Sequence, residues 1–403
     1  MNSIIKDSLI DLKSNNFINL SIDAIRLYRG LLLIIRNIAP RLTNNDIYTS
    51  VITSFVRFSK VEPVEDWNVK TELVYWQILA NFPRNELVAE VNQLFEQVQF
   101  KNVFKSPIVH YLFRQLFTED NELTNFKLQE VLKLDENYIL RCVYSLYLTI
   151  DFTELDHDSK MFIHLLYDVI THESFVTWIA HAGHTDLTSW LELTSTVVQT
   201  RDQWNIYELT ALISWNIEVF LTYSKTLTPD TILQDFELEE VITVNLHILS
   251  ELGKFEIFKK LLAQYPTFLE QLISVFGSIH NAIKPVTIKN SKIEGVTYNS
   301  VKSSIIIILS YLTHESFEVQ EQVRELGGLA LILSNCVIDN NNPFIKEHAI
   351  VCLKYLLQDN KHNQQVVADL EAKRTVDDKV LQEVGYQVEV VEGKVQVKKK
   401  QDA

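Results

Sequence analysis

The chain has 403 residues, 47% of them hydrophobic, and a formal net charge of −15. It is too long for one compact domain of about 100–200 residues, so it forms either several domains or one elongated repeat array. So acidic a chain repels phosphate backbones, which excludes a general nucleic-acid-binding role.

Glycine (9) and proline (8) are scarce, while Leu, Ile, Val, Glu, Lys and Gln abound, a composition that favours an all-α fold. Three cysteines (Cys142, Cys336, Cys352) without a CxxC pair suit a reducing compartment. The N-terminus, MNSIIKDSLIDLKSNN, carries Asp7 and Asp11 and does not read as a signal peptide. The longest apolar runs, Leu31 to Ile35 and Ile305 to Leu309, fall far short of the roughly 20 residues of a membrane span. A soluble cytoplasmic protein with no membrane insertion is the expectation.

In chain order, Leu9 to Asn37 reads as helix, and Glu72 to Asn81 as the next long one. Ile35-Arg36-Asn37-Ile38 lies 44 residues before Leu79-Ala80-Asn81-Phe82. Asn37 and Asn81 thus occupy one position of a helical repeat. In peptide-binding armadillo proteins an asparagine at this point bonds a ligand's extended backbone, which makes both candidate partner-binding residues. Asn137 to Thr149 and Met161 to Ile170 follow as helices.

Thr171-His172-Glu173-Ser174-Phe175 then presents half of a zinc-hydrolase signature, and the same pentapeptide returns as Thr313-His314-Glu315-Ser316-Phe317. A metal site of that type needs HExxH, so that two histidines four apart grip one ion. The residue needed is Val176 in one copy and Glu318 in the other. The pentapeptide therefore reads as a junction at a helix end. His157, His164, His172, His181 and His184 cluster nearby, but without cysteine or an evident base, and they read as solvated or capping residues.

Ile206 to Tyr223 and Glu239 to Leu252 are the next expected helices. Asp235, Glu237, Glu239 and Glu240 suit a solvated helix start, or the wall of an acidic groove. Lys284 to Asn299 reads as a loop.

Beyond it the 44-residue period returns. Leu309-Ser310-Tyr311-Leu312 falls on Leu353-Lys354-Tyr355-Leu356, Gln320 on Gln364 and Val323 on Val367. A period of about 40–47 with helical patterning marks armadillo or HEAT units, about nine of which would span the chain, although residues 90 to 300 resist phasing. Tyr311 and Tyr355 sit at equivalent places and serve either as interface anchors or as core. Val323 to Leu326 ends a short helix, with Gly327 as its left-handed cap. Leu329 to Cys336 is a second segment. Asn342 is placed as N-cap and Pro343 as first residue of a helix reaching Gln358, with His348 on its apolar face. Tyr386 to Val397 suggests a small β-hairpin before a basic end, Lys398 to Lys400.

Val323 to Gln364, VRELGGLALILSNCVIDNNNPFIKEHAIVCLKYLLQDNKHNQ, closely resembles the C-terminal domain of the ataxin-10 family. The resemblance rests on Arg324, Gly327, Gly328, Asn335, Asp339, Asn342, Pro343, Phe344, Asn363 and Gln364, and departs from it at Lys354-Tyr355. It implies armadillo-like repeats over 1–280, the family domain over 281–375, and a tail over 376–403. It also implies a non-enzymatic scaffold with protein partners in the cell-division machinery, a role in cytokinesis and no cofactor. The fungal branch has carried a copper-transport name, which these residues do not support. Self-association is left open. The alternatives are a nuclear-transport-type adaptor holding basic peptides, or a histidine metal-binding protein.

Overall fold

The computed structural model describes residues 21–42, 45–60, 66–82, 88–97, 105–116, 121–228, 231–286, 297–376, 386–391 and 394–399. Part of the first expected helix (residues 9–20), most of the expected loop (287–296) and the last residue of the basic end, Lys400, lie outside them. The chain divides into two compact units, Met1–Trp215 and Asn216–Ala403.

The first unit is built from pairs of helices in two rows. One row holds α1 (Ile22–Ile38), α3 (Trp67–Asn81), α5 (Lys105–Leu116) and α8 (His157–Ile170), each packed on the next. The other holds α2 (Asn45–Phe58), α4 (Val88–Gln97), α7 (Tyr138–Tyr147) and α10 (His184–Gln199). Helix α6 (Asn121–Leu132) and the short α9 (Phe175–His181) lie between their neighbours in sequence. Local chemistry sets the helix starts. Ser21 Oγ accepts from Ala24 N at 3.2 Å, Asn137 Oδ1 from Leu140 N at 2.9 Å and Asp156 Oδ1 from Ser159 N at 2.7 Å. In α1 the buried residues Ile25, Tyr28, Leu32 and Ile35 form one stripe at helical spacing, which faces α3. Tyr28, Ser54 and Tyr75 close that contact as a buried hydroxyl triad, with Ser54 Oγ 2.7 Å from each tyrosine oxygen.

Helix α11 (Ile206–Ser224) carries the chain into the second unit. There α12 (Phe236–Leu252), α15 (Val301–Thr313) and α18 (Ile345–Leu357) stack in one row. Helix α14 (Phe268–Ala282) packs on α17 (Gly328–Ser334); α13 (Glu256–Leu261), α16 (Phe317–Glu325) and α19 (Lys361–Val376) complete the set. The run α16, α17, α18 is the three-helix unit expected of an armadillo repeat, its last helix the longest. In the tail, β1 (Tyr386–Val391) and β2 (Lys394–Lys399) pair antiparallel, Tyr386 opposite Lys399. Apart from the hairpin, each unit is an all-α stack of helical repeats of the solenoid type, and no helix among the described residues is long and apolar enough to cross a membrane.

The 44-residue register is repeated in the backbone. Ser300 (φ 62°) and Phe344 (φ 59°) take the left-handed conformation just before α15 and α18, and Glu315 (φ 54°) and Asp359 (φ 56°) take it just after. Ordinary residues hold such angles at a cost of about 1–2 kcal/mol each, so the same turn has been built twice against local preference. Both copies of the repeated pentapeptide are helix junctions. Thr171 and Thr313 each donate a hydroxyl to the carbonyl four residues back, at 2.8 and 2.7 Å, and Phe175 and Phe317 each begin the next short helix.

Gly327 (φ 81°) sits at the α16–α17 turn, and a Cβ on Gly328 would lie 2.8 Å from Val323 Cγ1 and 3.0 Å from Val323 O. Gly328→Ala is expected to cost about 1–3 kcal/mol through overpacking. Gly327→Ala should cost about 1–2 kcal/mol through backbone strain alone. Urea midpoints followed by circular dichroism will rank them.

One expectation is corrected. Helix α18 begins at Ile345, not at Pro343, and Asn342 does not cap it. Phe344, left-handed, occupies the cap position instead, and the Asn342 side chain is used on another helix.

Candidate functional site

Helices α1, α3 and α5 place a polar cluster on adjoining faces of the first unit. Arg36 Nη1 donates to Gln77 Oε1 at 2.9 Å, and Arg114 Nη1 donates to Asn81 Oδ1 at 2.7 Å. Gln77 and Asn81 are one helical turn apart on α3, so the two guanidinium groups come from the helices on either side of it. A groove of about 500 Å³ opens here, lined by Leu73, Gln77, Ala80, Asn81, Pro107, His110 and Arg114. Asn81 is half-buried in its wall. Asn37 is exposed, and its Oδ1 accepts from Arg36 Nε and Nη2 at 3.3 and 3.2 Å. The two asparagines thus both touch an arginine, but only Asn81 lines the groove.

The tyrosine pair lies in the second unit. Tyr311 is 37% exposed and abuts Gly253, where a Cβ would meet Tyr311 Cδ2 at 3.0 Å. Tyr355 is half-buried and packs edge-on against His314, ring centroids 4.6 Å apart. Each ring therefore mixes contact and exposure. His348 is half-buried on α18, and burial lowers its pKa, with Glu347 opposing.

The histidine cluster does not converge. His157 and His184 begin helices, His181 ends one with Nδ1 2.8 Å from Thr177 O, and His172 accepts from Ser174 N at 3.1 Å. Among the described residues no three His, Cys, Asp or Glu side chains come together to hold a metal ion. The acidic run is structural. Asp235 Oδ1 caps α12 through Leu238 N at 2.9 Å, and Glu239 Oε1 accepts from Tyr298 N at 2.6 Å.

Two buried polar networks tie the second unit together. In the first, Asn342 Oδ1 accepts from Lys302 N (3.0 Å) and Ser303 N (3.4 Å), capping α15 from 40 residues away. Its Nδ2 donates to Asp339 Oδ2 at 2.9 Å. Asp339 Oδ1 also accepts from Val286 N and Asn341 N, at 2.9 and 3.0 Å. Lys302 Nζ lies 3.0 Å from Asp339 Oδ2, with both side chains 1% exposed. Pro343 O accepts from Ser303 Oγ at 3.3 Å. In the second network, Asn360 Oδ1 caps α19 through Asn363 N at 2.9 Å, and its Nδ2 donates to Glu321 Oε1 at 2.9 Å. Asn363 Nδ2 reaches Leu356 O at 2.8 Å. Gln320 Nε2 bonds Thr313 O at 3.2 Å, and Gln364 Nε2 bonds Leu357 O at 2.8 Å; the two bonds are the same contact one repeat apart. Asn335, also buried, donates to Leu331 O at 2.8 Å and lies 3.1 Å from His280 Nδ1.

Residues 301–398 match the spinocerebellar ataxia type 10 protein domain. Nearly the whole chain is similar to the Ataxin-10 homolog of Candida albicans, 50% identical over 97% of this chain and 88% of that one. The chain belongs to the ataxin-10 family. The Ataxin-10 homolog of Debaryomyces hansenii is 37% identical over 93% of this chain and 80% of its own length. Human Ataxin-10 matches over 37% of this chain and 31% of its own length, at 33% identity. An engineered protein of known structure aligns with a TM-score of 0.37 and 11% identity, too distant to bear on the architecture.

Both networks of this ataxin-10 family member fall largely within the matched segment, and most of the residues that carry the resemblance are fold-builders. Phe344 is the exception, 72% exposed beside a small hollow of about 250 Å³ that also involves Ile338. Family membership and an all-helical repeat architecture go with a scaffold-like protein. The groove residues Gln77, His110 and Arg114 were not singled out from sequence, because only stacking brings them together. Lys302 carried a readable signal, a lone cation in the apolar run SVKSSIIIILS.

Arg324 holds the Glu321 carboxyl down to about 2, helped by Asn360 and His362 and opposed by burial. A depressed carboxylate contributes stability above its unfolded value of about 4.3, and that contribution is lost as pH falls toward the folded value. Acid titration followed by circular dichroism should therefore show a loss between about pH 4 and 2 that is shallower in Glu321→Gln.

Proposed function

We propose that this chain is a non-enzymatic scaffold of the cell-division machinery, acting in cytokinesis, and that it holds partner proteins along its stacked long helices. The observation that carries the binding mode is the groove on α3, where Gln77 and Asn81 present side-chain amides beside an open channel of about 500 Å³. Amides of this kind pair with the backbone of an extended peptide, which offers both donors and acceptors. Repeat arrays bind in this way along extended surfaces, without chemistry. The cytokinesis assignment follows the family resemblance.

Tagged full-length chain should be recovered from dividing cells with septum or division proteins, and its depletion should leave daughter cells joined. Normal separation after depletion, with transport factors or metal-handling proteins dominating the recovered set, overturns the reading. The nuclear-transport alternative gains nothing from the groove, since no carboxylate is among its described lining residues.

A further inference from the structure

Several arginines among the described residues are matched by acids. Arg26, Arg141, Arg201 and Arg324 each lie within 4 Å of a carboxylate. Arg36 and Arg114 differ: among the described residues neither has a carboxylate partner, and both rest on neutral amides of α3. An amide oxygen orients a guanidinium but leaves its charge uncompensated; Arg114 spends one of its five donors on Asn81, and Arg36 spends three on the amides of Gln77 and Asn37. Two positive forks are thus fixed on either side of α3, at the edge of a groove with no acidic side chain among its described lining residues. His110 lines the same groove, and Asp158 lies 3.5 Å from its Nε2. This is a positive locus on a chain of net charge −15.

We propose that the groove on α3 selects an extended peptide bearing acidic side chains, with Arg36 and Arg114 each taking one carboxylate while Gln77 and Asn81 bond the peptide backbone. This deepens the scaffold reading and rests on it. Both forks reach in to α3, where the amides that hold them stand one helical turn, about 5–6 Å, apart, a span that about two residues of extended chain cover at ~3.3 Å each. The forks therefore suit Asp or Glu residues about two positions apart. Bidentate Arg–carboxylate pairing supplies the specificity, and the charge makes it salt-sensitive.

The test is fluorescence anisotropy of the full chain with three labelled peptides of one length: Glu at every second position among Ser and Gly, the same peptide with Gln, and the same with Lys. The Glu peptide should bind, weakening at least tenfold as salt rises from 50 to 500 mM, while the Gln and Lys peptides stay unbound. Arg114→Gln and Arg36→Gln should each weaken the Glu peptide about tenfold or more. Arg114→Lys, which keeps the charge and loses the fork, should fall between. Circular dichroism confirms folding, and because the two glutamine variants lie on different helices, misfolding of one leaves the other to decide. Equal binding of the Gln peptide, or a Glu peptide indifferent to both variants, overturns the proposal. So does a phosphoserine peptide that binds while the Glu peptide does not. Recovery of division proteins by the Arg36→Gln/Arg114→Gln double variant, together with no acidic-peptide binding by wild type, would sink this inference and leave the scaffold reading standing.

Discussion

Replacing Asp339 by alanine is expected to destabilise the second unit by about 3–5 kcal/mol, read as a fall in the urea midpoint by circular dichroism. Tryptophan fluorescence will not serve, because all six tryptophans lie at or before Trp215. The reason for so large an effect is asymmetry. Asp339 accepts from Val286 N, Asn341 N and Asn342 Nδ2, and its partner Lys302 makes the 3.0 Å ionic contact without hydrogen-bond geometry. Removing the carboxylate therefore strands a buried ammonium and three donors. Removing the cation, by Lys302→Met, leaves a carboxylate still served by three N–H groups, and should cost clearly less. Equal costs would defeat this account. Burial pushes the Asp339 carboxyl up, but Val286, Lys302 and Asn342 outweigh it and hold the group below its usual value. Its contribution is then fully present above about pH 4 and lost as pH falls through the folded value. The difference between wild type and Asp339→Ala should narrow in acid.

Much of the repeat was legible, and where it was not the cause is physical. From Val301 to Leu357 the 44-residue offset works because two successive turns share the same left-handed residues and the same glutamine-to-carbonyl bond. In the first unit the long helices begin at Ile22, Trp67, Lys105 and His157, an uneven spacing that defeats a fixed period. Asn342 shows the limit of local rules. Its sequence setting, Asn-Pro before an apolar helix, fits an N-cap, yet tertiary packing gives its amide to the helix of the preceding repeat. Asn81 was legible as a position, but its arginine was not. Arg114 lies 33 residues on, and nothing short of the α3–α5 contact selects it. Tyr311 and Tyr355, equivalent in sequence, each bury one side and expose another, a division that a hydrophobic pattern does not resolve.

The two copies of Thr-His-Glu-Ser-Phe separate local from tertiary effects in one molecule. Phe175→Ala is expected to cost about 3–5 kcal/mol, and Phe317→Ala no more than about 0.5 kcal/mol. Both phenylalanines begin a short helix after a long one, so any contribution from the pentapeptide itself is shared. Their surroundings are not. Phe175 is 0% exposed, with Trp178, Trp190 and Trp215 ring centroids 5.5, 5.5 and 5.3 Å away. Phe317 is 56% exposed. Truncating Phe175 opens a cavity among large rigid rings, which collapse poorly around it. Truncating Phe317 removes surface that water already reaches. Phe175→Ala should also change the tryptophan emission of the folded protein, since three of the six indoles border the cavity, while Phe317→Ala leaves it unchanged. Urea unfolding of both variants, with emission reporting on the first unit and circular dichroism on the whole, decides the point. Equal costs would place the importance of the repeated pentapeptide in its own sequence rather than in what packs against it.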